Sequence, residues 1–274
     1  MLDRTRTQAV EALLGAYELA TPIDPLSETF PGVDVDDAYA IQLAQVDHWV
    51  DAGRRIAGHK VGLTSVAVQR QLGVSQPDFG HLFDDMFHLS GEPIAPDVYM
   101  QARVEPEIAF VLKKDLIGPG LSIADAIGAV DYVLASLEII DSRITDWKIT
   151  LADTIADNAS SGGVVLGTRP MRIDAADLRL TGVVLRRNGR IEQTGAGAAV
   201  LGSPISSLVW LANTLGRRGT PLRAGSVVLP GAVTATVPAR PGDIVTATFA
   251  GLGTVTAAFA PTPHPTVELE RTHD

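Results

Sequence analysis

The stretch Arg103-Val104-Glu105-Pro106-Glu107-Ile108-Ala109-Phe110-Val111-Leu112 sets two carboxylates two residues apart. In a strand, alternate side chains share a face. Glu105 and Glu107 then point one way, and Ile108, Phe110 and Leu112 point the other way, into a core. Carboxylates side by side repel, and one takes up a proton unless a cation neutralises the pair. A hard divalent cation does so through carboxylate oxygens. Glu138 lies in VLASLEIIDSR, a strand otherwise apolar around it, where a carboxylate needs a partner. Glu105, Glu107 and Glu138 together could hold one Mg²⁺ or Mn²⁺ and leave positions open for water and a chelating substrate. A Glu-x-Glu pair alone also describes a solvated strand edge; Glu138 tips the balance, because solvation accounts for it poorly. Pro106 donates no ladder hydrogen bond, which weakens the strand slightly and is acceptable at an edge or a bulge.

The elements that must position these residues follow from pattern and punctuation. Val10, Leu13, Leu14 and Tyr17 give a first helix with Thr7 as its cap, broken by Thr21-Pro22 and Asp24-Pro25. A second helix runs from about Asp34 to Ala52, with Ala38, Ile41, Leu43, Val46 and Trp49 on its apolar side. IAGHKVGLTS reads as a short strand and a turn, and Val66 to Leu72 as a short helix closed by Gly73. Pro77, Gly80, Gly91, Pro93 and Pro96 mark an irregular stretch. Ser122 and Asp125 form a capping box for a helix to about Val130, and a strand follows from Val133 to Asp141. Residues 180–194 read as a hairpin turning on Asn188-Gly189 in type I′ geometry. Ser203-Pro204 starts a helix to about Leu215. Val- and Thr-rich short strands follow to Phe259, and residues 261–274 read as a loose tail. Helices at the front and strands at the back predict an α+β fold.

Composition narrows the chemistry. The 274 residues carry 22 Lys+Arg against 32 Asp+Glu, a formal charge of −10. That balance argues against a nucleic-acid partner, which needs a basic face, and offers no attraction to an anionic membrane. The chain has no cysteine, which excludes disulfides, thiolate metal sites and cysteine nucleophiles. Residues 1–20 scatter charges among apolar positions, unlike a signal peptide, and no run is expected to reach the ~20 apolar residues of a spanning helix. The expectation is a cytoplasmic protein. Gly195-Ala-Gly197 lacks the third glycine and the βαβ setting of a dinucleotide fingerprint. Ser160-Ser161-Gly162 is not a nucleophile elbow.

Five segments in order, GHKVGLTS (58–65), QPDFGHLFDDM (76–86), VEPEIAF (104–110), LEIIDSRITDWK (137–148) and DTIADNASSGGVVLG (153–167), resemble the 2-keto-4-pentenoate hydratase group of the fumarylacetoacetate hydrolase superfamily. The resemblance continues to the GLGTVTAAF strand (251–259) and covers nearly the whole chain. It implies a mixed β-roll core with peripheral helices, divided as a mainly helical N-terminal region (1–73), a catalytic β-roll domain (74–260) and a flexible tail (261–274). It also implies a divalent metal on Glu105, Glu107 and Glu138. Many hydratases carry Ala where Pro106 stands.

The implied activity is metal-dependent hydration of a 2-hydroxy-2,4-dienoate to a 4-hydroxy-2-oxo acid, in meta-cleavage catabolism of aromatic or steroid rings. On the same resemblance Lys60 is the first catalytic candidate. It would act as a base if its site lowers its pKa, or as a cation on the substrate carboxylate or 2-oxygen. Asp78 is the second, as acid/base or to orient water, with a plain turn after Pro77 as the equal alternative. Ser160, Thr64 and Phe79 are the expected substrate contacts. Arg143 and Asp141 are expected to pair near the site, Asp157 and Asn158 to fix their loop through Asx-type bonds, and His59 and His81 to be structural. The resemblance implies a homo-oligomer and an association with a downstream aldolase or a sister decarboxylase. A 4-oxalocrotonate decarboxylase, which more often shows Tyr at position 79 and lacks the Trp147 match, and a non-catalytic partner subunit are the competing readings.

Overall fold

A computed structural model of the chain describes residues 3–65, 69–70 and 74–263. In chain order, α1 (Asp3–Leu19), α2 (Leu26–Thr29) and α3 (Val35–Asp51) precede β1 (Ile56–Gly62), β2 (Asp78–Phe83), β3 (Phe87–Leu89), β4 (Pro93–Ile94) and β5 (Arg103–Leu112). Then come α4 (Ile123–Ala129), β6 (Val130–Ile140), α5 (Leu151–Ala156), β7 (Ser161–Leu166), β8 (Gly182–Arg187), β9 (Arg190–Ala196), α6 (Pro204–Arg217), β10 (Val227–Leu229), β11 (Val237–Pro238), β12 (Ile244–Phe249) and β13 (Gly253–Phe259). Of the helix expected over 66–72 only residues 69 and 70 are described, and they are helical; the rest of it and most of the tail lie outside the described residues.

The strands form two sheets. The larger has the order β2-β1-β10-β5-β6-β7-β3, with β11 also pairing β5; the smaller has the order β4-β13-β12-β8-β9. Parallel pairs (β1 with β10, β3 with β7) sit among antiparallel ones, so the core is mixed, in an α+β fold. β12 and β13 lie against β6 and β7, and Val133, Ala135 and Leu137 share one apolar core with Val245, Ala247 and Val255. The 1–73 region is not separate from the catalytic sheet, because β1 is an interior strand of it, between β2 and β10.

Local physics explains most boundaries. Asp34 caps α3 by accepting from the Asp37 amide at 2.8 Å, and Ala38, Ile41, Val46 and Trp49 are buried along it. Leu43 points outward instead, and Gln42 and Gln45 take inward places. Gln42 donates to the carbonyls of Phe79 and Ile155, and Gln45 to those of Ile41 and Ala156, tying α3 to β2 and α5. Asn188 (φ 53°) and Gly189 (φ 79°) turn the β8–β9 hairpin as expected of type I′. The first helix begins at Asp3, so Thr7 lies within it and is not its cap. One segment, Gly197–Arg217, is by length and composition apolar enough to cross a membrane, against expectation. Within it Leu208, Leu211, Ala212 and Leu215 are buried in the protein core.

The stretch expected to be irregular contains β2, buried along its whole length. Pro77 and Gly80 hide it in the sequence because they read as punctuation. Pro77 lies just before the strand, and Gly80 is required by a close approach: a Cβ there would sit 2.3 Å from the Asn158 carbonyl oxygen.

β5 is also interior, and Pro106 is accommodated there without an edge. The Pro106 carbonyl accepts from the Val233 amide at 3.0 Å, and a strand residue's N–H and C=O point the same way. The missing N–H therefore faces away from β6, into a gap in the sheet. β10 pairs with Val111 and Phe110 and then stops, and β11 resumes at Val104 and Arg103. Pro106 removes no bond from the β5–β6 ladder.

Candidate metal centre and active site

The gap beyond β10 is where the chemistry-bearing side chains meet. β5 and β6 pair in a register that sets Glu105 directly opposite Glu138 and Glu107 opposite Ser136. Cross-strand partners share a face, so all three glutamates converge, with candidate ligand oxygens within 4.8 Å of one another. Glu107 (0% exposed) and Glu138 (1%) are buried. One Glu107 oxygen, Oε2, accepts from the Gly231 amide at 2.7 Å. Oε1 of Glu107 and Oε2 of Glu138 have no hydrogen-bond partner.

Lys60 and Asp78 reach the same space from β1 and β2. Lys60 faces Gly80 and Gly62 faces Asp78 in the β1–β2 ladder, so Lys60 and Asp78 share a face. The Lys60 ammonium lies 3.1 Å from Glu138 Oε1, both groups buried. Burial works against its charge, but Glu138, Asp78 and Glu105 outweigh it and hold the ammonium above the ordinary lysine range. Of the two roles left open for Lys60, base and cation, this raised direction favours the cation. Burial raises the Asp78 carboxyl, only partly offset by Lys60, and Asp78 Oδ1 is unpartnered. Glu105 is pushed up to about 7 by burial and the neighbouring Glu138 charge. Burial, then Glu138 and Glu105, put Glu107 well above the carboxylate range.

Four carboxylates thus face one ammonium, and two buried carboxylate oxygens of the glutamate triad are orphaned. Such oxygens are costly to bury, and hard, oxygen-seeking divalent cations suit this donor set. The residues fit a metal.

A cavity of about 120 Å³ opens beside the glutamates. Lys60, Asp78, Glu105, Thr154 and Ser160 supply its polar wall, and Leu63, Ile140, Trp147 and Ile149 its apolar one. A neighbouring groove shares Glu105 and is lined by Thr64, Ser65, Ala232 and Thr234. Ser160 projects from a turn in which Asn158, Ala159 and Ser160 all have positive φ, between 50° and 54°. Its hydroxyl lies 3.3 Å from that of Thr154. Thr64 is buried against Gly231, which has φ 121° and no room for a Cβ: one there would meet Thr64 Oγ1 at 2.1 Å. Only glycine can place the amide that supports Glu107.

Phe79 is not in the cavity. On β2 its side chain points opposite to that of Asp78 and stacks on Tyr39 of α3, ring centroids 4.5 Å apart. The expected substrate contact is corrected to a core contact, by strand alternation alone. His59 and His81 also occupy that reverse face, opposite one another and buried. Burial lowers both, His81 to about 4, so the rings are neutral at pH 7. Arg143 pairs chiefly with Asp157, its Nε 2.5 Å from Oδ1, and only loosely with Asp141, at 3.7 Å. Asn158 makes no Asx bond: it holds the backbone of His81. The Gly231 amide, Thr154, Ile140 and Ile149 were not expected in the site. A backbone amide carries no sequence signal, and the others read as ordinary core or cap residues.

This architecture has known counterparts. The fumarylacetoacetate (FAA) hydrolase C-terminal family model matches residues 43–260. The chain belongs to the fumarylacetoacetate hydrolase family. It is 48% identical over 259 residues to a 2-keto-4-pentenoate hydratase of Paraburkholderia xenovorans (strain LB400), covering 94% of this chain and 96% of that one. It is 40% identical to a 2-oxo-hept-4-ene-1,7-dioate hydratase of Escherichia coli, covering 94% and 100%. Among solved structures it resembles 4-oxalocrotonate decarboxylase from Pseudomonas putida G7, complexed with magnesium and adipate (TM-score 0.90, 38% identity, 94% and 98% covered). Within the family the chain groups with the 2-keto-4-pentenoate hydratases, and by that grouping it is an enzyme of the hydro-lyase class.

Proposed function

We propose that the protein adds water to a 2-hydroxy-2,4-dienoate, giving a 4-hydroxy-2-oxo acid, with Mg²⁺ or Mn²⁺ held by Glu105, Glu107 and Glu138. The carrying observation is the convergence of three glutamates with two orphaned buried oxygens, one of the three, Glu105, lining a cavity with Lys60, Asp78 and Ser160. A bound divalent cation supplies Lewis acidity toward the substrate's carboxylate and 2-oxygen, stabilising negative charge there.

The chain's own groups account for the rest. Lys60, held as a cation, adds fixed positive charge beside the glutamates and favours an anionic substrate end. Ketonisation takes the proton from the 2-hydroxyl and delivers one to carbon 5, leaving a double bond between carbons 3 and 4. Water then gives its hydroxyl to carbon 4 and a proton goes to carbon 3. Asp78, buried and with its carboxyl raised by that burial, is suited to accept and return these protons. Ser160 offers a hydroxyl to the substrate carboxylate or the attacking water. Trp147, Ile140 and Ile149 keep bulk water from the dienoate chain.

The 48% identity to a hydratase against 38% to a decarboxylase favours hydration. The test is to follow dienoate absorbance on adding protein and Mg²⁺ and to identify the product. A 4-hydroxy-2-oxo acid supports the proposal, and carbon dioxide from 4-oxalocrotonate without dienoate hydration overturns it.

A further inference from the structure

The turn that carries Ser160 is strained, yet it has no glycine. Asn158, Ala159 and Ser160 are consecutive left-handed residues, a conformation that disfavours every non-glycine residue, Asn the least. Such a turn persists only if surrounding bonds over-determine it. Its entry is fixed by Arg143, whose backbone amide and Nε bind the Asp157 carboxylate and whose terminal nitrogens reach the carbonyls of Asp157 and Ser161.

Its body is fixed by Asn158. The carboxamide oxygen accepts from the His81 amide at 2.8 Å, and the carboxamide nitrogen donates to the His81 carbonyl at 2.9 Å. β2 is an edge strand of the large sheet, and its outward backbone groups are buried here, so they need partners. The fully buried Asn158 side chain pairs with them as a neighbouring strand would. Ser161 Oγ closes the arrangement by donating to the Asn158 carbonyl at 2.8 Å.

We propose that Asn158 is a positioning residue: by clamping the left-handed turn onto β2 at His81, it sets the Ser160 hydroxyl in register with Asp78, three residues away on that strand. This rests on the reading of Ser160 and Asp78 as reaction-site groups. Asp78 and Ser160 line one cavity but come from segments about eighty residues apart. Asn158, two residues from Ser160, bonds the turn to β2 at His81, three residues from Asp78, whereas Gln42 links β2 to α5 at Phe79 and Ile155 without holding the turn. Misplacement of such a group by about 1 Å costs on the order of 10²-fold in rate.

The test is a double-mutant cycle of Asn158→Gly and Ser160→Ala. Glycine removes the clamp but accepts the positive φ without penalty, so loss of activity is separated from backbone strain. Expected are a kcat about 10²-fold lower with KM moved far less, and loss of exchange protection at the His81 amide. Ser160→Ala should cost about ten-fold in the wild-type background and under about two-fold once Asn158 is glycine. Equal costs in both backgrounds, or no cost of Ser160→Ala in the wild type, overturn the proposal.

If Asn158→Gly does not fold, Asn158→Asp keeps the acceptor for the His81 amide and loses the donor to the His81 carbonyl; the same non-additivity, with a smaller loss, supports the proposal, and additivity overturns it. If the wild type hydrates no dienoate, the proposed reaction falls instead, and the cycle is read in Mg²⁺-dependent oxalate affinity by calorimetry. Coupling there supports the role of Asn158, and additivity overturns it.

Discussion

Two clusters of buried charge lie on either side of the Asp157–Ser161 segment, and they are built to opposite rules. Around Arg143, the Asp157 carboxylate takes the Arg143 amide and Nε, and the Asp141 carboxylate takes the backbone amides of Met100 and Gln101. Every one of those carboxylate oxygens has a donor. Around Lys60, one ammonium faces Glu105, Glu107, Glu138 and Asp78, and oxygens on three of the four acids lack hydrogen bonds. Apart from the half-buried Glu105, the charged groups of both clusters are buried. The first cluster is saturated with donors; the second leaves buried acceptors open.

The sharpest way to break the contrast is Glu107→Gln. The amide keeps the shape but removes a charged ligand, and metal-dependent turnover should fall by on the order of 10³-fold. Steady-state rates against Mg²⁺ concentration check it, and unchanged turnover would place the site elsewhere. Next in size, Arg143→Met should destabilise the fold by about 3–5 kcal/mol by stranding Asp157, equally with and without Mg²⁺. Lys60→Met should also destabilise, but with Mg²⁺ recovering part of the loss. Denaturant titrations of both variants measure the difference.

A third effect is in pH. Glu105 in the metal-free fold is raised from 4.5 to about 7. The folded state therefore binds the proton more tightly than the unfolded chain, and stability conferred by the protonated group is lost as pH rises from about 4.5 through about 7. Mg²⁺ competes with that proton. The Tm difference between Mg²⁺-loaded and metal-free protein should grow across this window and level off above it. A difference independent of pH would remove Glu105 from the ligand set. Smallest, Phe79→Leu should cost about 1 kcal/mol in stability with kcat unchanged, whereas Asp78→Asn should do the reverse. Thermal melts paired with kinetics decide between them.

The legible parts of this molecule were those governed by alternation and by cost. The period of two put Glu105 and Glu107 on one face, and an acid in an apolar run marked Glu138. The type I′ hairpin was equally readable at Asn188-Gly189. What stayed hidden depended on contacts distant in sequence. β2 was masked by Gly80, whose absent side chain makes sense only once Asn158 is packed on it. The same alternation, applied to β2, would have turned Phe79 away from Asp78; the family likeness drew it toward the substrate instead. Pro106 read as suited to an edge or a bulge because nothing local shows that β10 stops short of it. The Gly231 amide is invisible until its strand is in place.

That last support arrives late in the chain. Lys60's strand joins the glutamate strand only by way of β10, and the amide under Glu107 comes two residues after β10 ends. A nascent chain released before residue 227 would carry all three glutamates, Lys60 and Asp78, yet have no seam to bring β1 beside β5. The seam that closes the glutamate cluster is thus supplied by residues 227–231, after every side chain of that cluster has already been made.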